Sequence, residues 1–390
     1  MKFIENLDVR GKTVFVRVDF NVPLSESGEI RNDTRIRASL PTIRFLSEHG
    51  AKLILASHLG RPKKFDPAAS LRPAAVRLAE LLGRKVEMAP DVIGPDVDRL
   101  KDGLRDGDIV LLENVRFQPG ETKNDPELAR EFARGVDVFV NDAFGSSHRA
   151  HASVVGVAGL VPAKAAGYLL KKEVEFLGKV LHPVKPFTAV LGGAKTEDKI
   201  PVIESLLDKA DDVLIGGAMA YTFLAAQGKG VGKSLVEPDK FDLALGIMKK
   251  AADRGVRLRL PSDHALAPSI DSGVIDRMTG EYPFPDVLLG VDIGPKTIAT
   301  YSAIIGRAKT VFWNGPLGVF ENPAFAEGTM QIAQAVAASP AVSIIGGGDS
   351  IAAVAKAGVG DRIGHISTGG GASLEFIATG TLPGLEALEG

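Results

Sequence analysis

No cysteine occurs among the 390 residues. That excludes disulfides, thiolate metal sites and a cysteine nucleophile, and it fits a reducing cytoplasm. Net charge is also nearly missing, at −2. Without a global basic field nucleic acid is not an expected partner, and any anion site must be a local cluster. Long apolar runs are lacking too. The longest mostly apolar stretch, residues 152–170, is broken by Gly156, Gly159, Pro162, Lys164 and Gly167, so no membrane span is expected. Residues 1–6 hold no apolar segment of the kind a secretory leader needs, and a cytoplasmic location is the expectation. Two nucleotide signatures are absent as well. No G-x-G-x-x-G follows an apolar run, which counts against a dinucleotide-binding dehydrogenase. Gly232-Lys233-Ser234 resembles the end of a P-loop, but the glycine that motif needs upstream is Gln227.

What the chain does have is eight short apolar runs, each breaking off into a polar turn or into glycine. The runs at 14–18, 53–56, 109–112 and 136–140 lead into Asp19 and Asn21, into His58 and Arg61, into Arg116, and into His148-Arg149. Later runs lead into Gly192-Gly193, Gly216-Gly217, Gly346-Gly347-Gly348 and Gly369-Gly370-Gly371. Segments of helical period lie between them. The pattern predicts an α/β protein of repeated strand–helix units with parallel sheets, and the length suits two domains. A strand is predicted over 13–22. Helices are predicted over 35–48 (N-capped by Asn32 or Asp33, with a kink or later start at Pro41), over 71–82 ending at Gly83, and over 127–134 ending at Gly135. A charged helix over 168–181 is expected to contain the domain boundary and to connect the two halves. The second half predicts strands near 188–191, 213–215, 256–260, 311–313, 343–345 and 365–367.

In open α/β sheets ligands bind beyond the carboxyl ends of the strands. Asp19, Asn21, His58, Arg61, Arg116 and Arg149 fall at or just past such ends, and Arg35 follows a loop. Arginine grips carboxylate and phosphate with paired hydrogen bonds, so this half suits a small multi-anionic molecule, with Asp19 and Asn21 offering acceptors to a hydroxyl. His148-Arg149-Ala150-His151 offers no third metal ligand and is a poor metal motif. In the second half, glycine after a strand lets backbone approach a phosphate, and the next helix adds free N–H groups. Lys195 and Lys199 follow Gly192-Gly193, within reach of a transferring phosphoryl group. Asp349 and Ser350 follow Gly346-Gly347-Gly348, and a carboxylate there suits Mg²⁺ held jointly with nucleotide phosphates. Asn314 and Trp313 open a turn that either anchors the core or borders a base, and Glu321 is placed to accept ribose hydroxyls. A nucleotide-binding protein without catalysis would not need the two lysines and the arginine cluster together.

Eight segments resemble phosphoglycerate kinases. They are Arg17-Val18-Asp19-Phe20-Asn21-Val22-Pro23, Ser57-His58-Leu59-Gly60-Arg61-Pro62, Leu112-Glu113-Asn114-Val115-Arg116-Phe117, His148-Arg149-Ala150-His151, Gly192-Gly193-Ala194-Lys195 with Lys199, Trp313-Asn314-Gly315-Pro316, Gly346-Gly347-Gly348-Asp349, and Ser367-Thr368-Gly369-Gly370-Gly371-Ala372. The resemblance implies two doubly wound, Rossmann-like α/β lobes facing across a cleft and joined by a hinge helix. The implied bounds are 1–170 for the first lobe, 171–185 for the connector, 186–377 for the second lobe, and 378–390 for a tail returning to the first. It implies reversible phosphoryl transfer between MgATP and 3-phosphoglycerate by a cytoplasmic monomer. Substrate would be held by Asp19, Phe20, Asn21, Arg35, His58, Leu59, Gly60, Arg61, Arg116 and Arg149. Nucleotide would be held by Lys199, Gly290, Asn314, Glu321, Gly347, Gly348, Asp349 and Ser350, with Asp349 beside Mg²⁺. Arg35, Lys195, Lys199 and the N–H groups of Gly369 and Gly370 would serve the transferring group.

Overall fold

The computed structural model describes residues 1–389, apart from the Asp198 side chain, and Gly390 of the expected tail lies outside the described residues. The chain divides into two compact units, Met1–Val174 with Thr381–Gly390, and Glu175–Gly380. The first unit is built on strands β1 (Thr13–Arg17), β2 (Lys52–Ala56), β3 (Glu87–Met88), β4 (Ile109–Leu111), β5 (Val138–Asn141) and β6 (Ala163–Ala166). Their order in the sheet is β3-β4-β2-β1-β5-β6, and every pairing is parallel. Helices cover both faces of such a sheet, so its strands are apolar on both sides. Val14, Phe15 and Val16 are accordingly all buried, with Phe15 packed on Phe132 and Phe139.

β1 stops at Arg17, five residues short of the predicted end. Val18 still donates to the Ala56 carbonyl, but beyond it the ladder is replaced by side chains. The Phe20 N–H goes to Ser57 Oγ and the Asn21 N–H to Asp19 Oδ1. Helix α1 (Thr34–Glu48) runs unbroken through Pro41. Pro41 and Arg37, whose carbonyl loses its partner, both lie on the exposed side, where water can serve that carbonyl. Asn32 takes the Thr34 N–H, while Asp33 turns outward to Arg37 and Arg77. Helices α2 (Arg72–Leu82), α3 (Pro95–Asp102) and α4 (Pro126–Ala133) complete the first unit. α2 ends on left-handed Gly83, as its sequence predicts.

Helix α5 (Tyr168–Leu181) leaves the first unit and enters the second. Its N-terminus is held by Asp142, just past β5, whose Oδ1 accepts the Leu169 N–H at 2.9 Å and the Leu170 N–H at 3.3 Å. Complete burial raises the Asp142 carboxyl to about 8, against the opposing pull of the Thr42 hydroxyl and those two N–H groups. Because the folded-state value lies above the unfolded one, the native state binds the extra proton. Its contribution is fully present at low pH and is lost as pH rises through about 8. Asp142→Asn, which keeps the Oδ1 acceptor but cannot ionise, is therefore expected to gain stability over the parent as pH rises. Thermal melts from about pH 5 upward check this, and a melting difference that does not change with pH would contradict it.

The second unit repeats the plan with β7 (Phe187–Leu191), β8 (Asp212–Ile215) and β9 (Arg257–Arg259), then β10 (His264–Ala267), β11 (Arg277–Thr279) and β12 (Leu289–Ile293), then β13 (Thr310–Asn314), β14 (Val342–Gly346) and β15 (His365–Ile366). Its six-stranded parallel sheet has the order β15-β14-β13-β7-β8-β9. The helices are α6 (Ile200–Leu206), α7 (Met219–Ala226), α8 (Phe241–Asp253), α9 (Pro295–Ile305), α10 (Glu327–Ala338), α11 (Gly348–Lys356) and α12 (Gly371–Thr379). The chain returns to the first unit in α13 (Pro383–Glu386), where Gly384 donates to the Ser147 carbonyl and accepts from Asn141 Nδ2. A three-stranded antiparallel sheet, β11-β10-β12, was not among the predicted elements. Its strands are short, and β11 is mostly exposed, so no apolar run marks it. In both parallel sheets the winding direction reverses beside the first strand, between β1 and β5 and between β7 and β13. Those reversals are where an open α/β sheet leaves a crevice for ligand.

Candidate active site

In the first unit the loops after β1, β2, β4 and β5 carry the predicted residues. Asp19 is buried and takes Arg35 Nη1 at 3.2 Å, which also reaches the Asn21 carbonyl at 3.1 Å. Asn21 Oδ1 accepts the Gly60 N–H at 2.9 Å, and Arg116 donates to the Gly60 carbonyl. Asn114 Nδ2 holds the Leu59 carbonyl at 2.7 Å. Phe20 and Leu59 are buried core side chains. Arg61 and Arg149 are exposed, and Arg149 Nε donates to His148 Nε2 at 3.0 Å.

The electrostatics of this cluster are lopsided. Burial, together with the charges of Arg17, Arg149 and Arg61, brings Arg116 down to about 10, and Glu121 opposes that only in part. Arg116 Nε is buried without a partner. Burial and the charges of Arg17, Arg116 and Arg35 hold His58 well below the usual imidazole range. Cations crowded against one another, with a donor left over, are a site that an anion completes. Arg17 was not among the predicted site residues. The sequence places it on the polar face of β1, but a sheet covered on both faces leaves it fully buried, reaching His58 from below.

In the second unit the glycine turns after β7, β13 and β14 enclose a cavity of about 840 Å³. Gly193, Lys195, Lys199, Asn314, Gly347, Gly348, Asp349 and Ser350 line it. Lys199 Nζ donates to Asn314 Oδ1, while Asn314 Nδ2 is buried and unpartnered beside Gly347. Lys195 is exposed on the rim. Gly290 and Glu321 instead line a second cavity of about 190 Å³, which shares Gly193, Ala194, Pro316 and Asp349 with the first. Asp349, exposed in the first turn of α11, is thus common to both.

Several groups in these turns are engaged inside the protein. The Ser350 hydroxyl accepts the Gly315 N–H and is fully buried, so it braces the turn, while the residue borders the cavity. The Gly369 N–H is committed to Ser367 Oγ at 3.1 Å, and α12 begins only at Gly371, which lines the cavity in place of Gly369 and Gly370. Trp313 is a buried anchor whose Nε1 donates to the Gly315 carbonyl at 2.7 Å. Ser234 takes the Gly290 N–H and is buried, so it belongs to no phosphate loop. Among the described residues no group of three or more His, Asp or Glu side chains forms a metal site. A lone exposed carboxylate fits Mg²⁺ that brings its remaining oxygen ligands from nucleotide phosphates and water.

An arginine-lined anion site on one parallel-sheet unit, and a glycine-walled cavity with two lysines and a carboxylate on the other, define a phosphotransferase. Comparison with known proteins makes this specific. The phosphoglycerate kinase family profile matches residues 4–380. The phosphoglycerate kinase of Anaeromyxobacter sp. (strain K) is 55% identical over 393 residues, covering 100% of this chain and 99% of that one. That of Acidobacterium capsulatum is 55% identical, covering 99% of this chain and 98% of its own. Among solved structures, phosphoglycerate kinase from Coxiella burnetii superposes with a TM-score of 0.89 at 42% identity, over 99% of this chain and 98% of that one. The Pyrococcus horikoshii OT3 enzyme does so at 0.85 and 36%, over 100% and 98%. The chain belongs to the phosphoglycerate kinase family. Among the described residues no helix is long and apolar enough to cross a membrane.

Proposed function

We propose that the first-unit cluster binds 3-phosphoglycerate, that the second-unit cavities bind MgATP or MgADP, and that the γ-phosphoryl passes reversibly to the substrate carboxylate. The observation that carries the substrate half is Arg116, lowered by burial and by the charges of Arg17, Arg149 and Arg61 around it, with its buried Nε left unpartnered. In this reading Arg61, Arg116 and Arg149 grip the remote phosphate, His58 donates to it, and Asp19 and Asn21 orient the hydroxyl. The carboxylate is itself the nucleophile, so no general base is needed and catalysis is positioning and charge neutralisation. Arg35 and Lys199 meet the oxygens of the transferring group, Lys195 supports them from the rim, and the Gly370 and Gly371 N–H groups at the start of α12 add donors. Gly290 and Glu321 serve the nucleoside end. Asp349 would hold Mg²⁺ jointly with the nucleotide phosphates, and the ion would supply neutralisation of the phosphate charge. Because donor and acceptor rest on separate units, transfer requires the units to close on one another, with α5 as the hinge region. A cytoplasmic monomer acting on small molecules, with no nucleic-acid partner, is the matching cellular form.

The experiment is calorimetry on Asp349→Ala. MgADP affinity is expected to fall about tenfold or more while 3-phosphoglycerate affinity is kept. Intact MgADP affinity would refute the metal role, and a loss of both affinities would refute the division of ligands between units.

A further inference from the structure

Beneath the first-unit arginines lies a set of buried polar side chains that the proposed transfer does not use. Glu121 is fully buried. Its Oε1 accepts the Ser153 hydroxyl at 2.6 Å and its Oε2 the Ser153 N–H at 3.0 Å, and His151 Nδ1 lies 3.6 Å from Oε1. The same Ser153 oxygen accepts Arg17 Nε–H at 2.8 Å. Arg17 also donates to the Val18 carbonyl, and its Nη2 stands 3.2 Å from His58 Nδ1.

That last contact has only one chemical solution. A guanidinium has five N–H donors and no acceptor, so the hydrogen comes from Arg17 and His58 Nδ1 must present a bare lone pair. The ring hydrogen of a neutral imidazole then sits on Nε2. His58 Nε2 has no partner among the described residues and is not enclosed, so it is the open nitrogen of the ring. We propose that Arg17, braced by Ser153 and Glu121, is a positioning residue: it fixes the Nε2–H tautomer of His58, so that this histidine meets the substrate anion as a hydrogen-bond donor. The inference rests on the reading that this cluster binds the substrate phosphate.

The brace follows from the cost of burying a guanidinium. A fully enclosed cation needs a compensating anion, yet a carboxylate directly on Arg17 would compete for the Nη2 that His58 uses. Placing Glu121 one hydroxyl away, through Ser153, supplies the charge and leaves Nη2 free. Burial alone would raise Glu121, but neighbouring His151 and the Arg17 charge hold it below the ordinary carboxylate value, so it stays ionised. With His58 held neutral by its surroundings, the tautomer alone decides whether it offers an anion a donor or a lone pair.

Nitrogen NMR of the ligand-free protein labelled with ¹⁵N-histidine tests this, with the His58 signals assigned by their loss in His58→Gln. The expected wild-type spectrum has a pyridine-like Nδ1 and a pyrrole-like Nε2–H. In Arg17→Met the two signals should move toward a tautomer mixture, and the KM for 3-phosphoglycerate should rise about tenfold with the nucleotide KM unchanged. A wild-type His58 carrying its hydrogen on Nδ1, or an unchanged tautomer in folded Arg17→Met, would overturn the proposal. If Arg17→Met does not fold, Ser153→Ala, which keeps Arg17 and removes its brace, is expected to show the same drift, and an unchanged spectrum there counts against it. Calorimetry of the wild type with 3-phosphoglycerate separates the two readings. Absent binding with the expected tautomer removes the substrate assignment alone, and binding with the wrong tautomer removes the positioning role alone.

Discussion

Replacing Arg35 with alanine is expected to lower turnover on the order of 10³-fold and to leave nucleotide affinity nearly unchanged, as for other arginines that neutralise a transferring phosphoryl group. Arg35 stands in the first turn of α1, half-buried, with Nη1 shared between Asp19 and the Asn21 carbonyl. That pairing aims the guanidinium without exhausting its donors, since Nη1 alone is engaged in these contacts and a guanidinium carries five N–H groups. Asp19 keeps its bond from the Asn21 N–H in the variant, so the loop after β1 retains a partner for its buried carboxylate. A steady-state assay alongside nucleotide calorimetry decides the matter. Near-normal turnover would remove Arg35 from the transfer step, and a parallel loss of nucleotide affinity would show that it acts on binding instead.

Gly192→Ala is expected to destabilise the second unit by about 3 kcal/mol or more, because the added carbon cannot be accommodated by moving a side chain. At the β7–β13 reversal a Cβ on Gly192 would stand 2.0 Å from the Pro316 carbonyl oxygen and 2.8 Å from that of Gly315. Both neighbours are backbone, and both belong to the turn that walls the larger cavity of the second unit. The Gly192 N–H is also bonded to the Asn314 carbonyl and the Gly193 N–H to the Pro316 carbonyl, each at 2.9 Å. Relief would therefore pull Asn314 away from Lys199. For a unit of this size the destabilisation corresponds to a melting shift of roughly 10 °C. A Cβ on Gly348, which lines the same cavity, would meet nothing within 4 Å, so Gly348→Ala should melt with the parent. Equal melting of Gly192→Ala and the parent would show that the turn yields more easily than its backbone contacts suggest.

How far the sequence revealed the site depends on whether the signal was local. The strand–turn pattern exposed Asp19, His58, Arg116 and the glycine turns, because each follows an apolar run and sits where a parallel sheet leaves a crevice. The left-handed end of α2 at Gly83 was readable for the same reason. Arg17 was passed over because alternation along β1 assigns it to a polar face, and the structure buries both faces. Glu121 and Ser153 carry no local mark at all. Ser153 takes the Arg17 Nε–H and passes its own hydrogen to Glu121, all from distant parts of the chain, and only the fold brings them together. Ser350 and Gly369 lay in the right turns, but their hydroxyl and N–H are spent inside the protein. Pairing of that kind follows from backbone geometry that a glycine-rich string leaves open. Gly290 and Glu321 border a cavity separate from the one holding the lysines, a division invisible in one dimension.

The most direct test of the proposed phosphoryl transfer is ADP release from MgATP, measured with and without 3-phosphoglycerate and with hydroxylamine present to trap an acyl phosphate. ADP release that depends strictly on 3-phosphoglycerate, with trapped product in step, is the predicted result. ADP release indifferent to the acceptor, or no release at all, would contradict it.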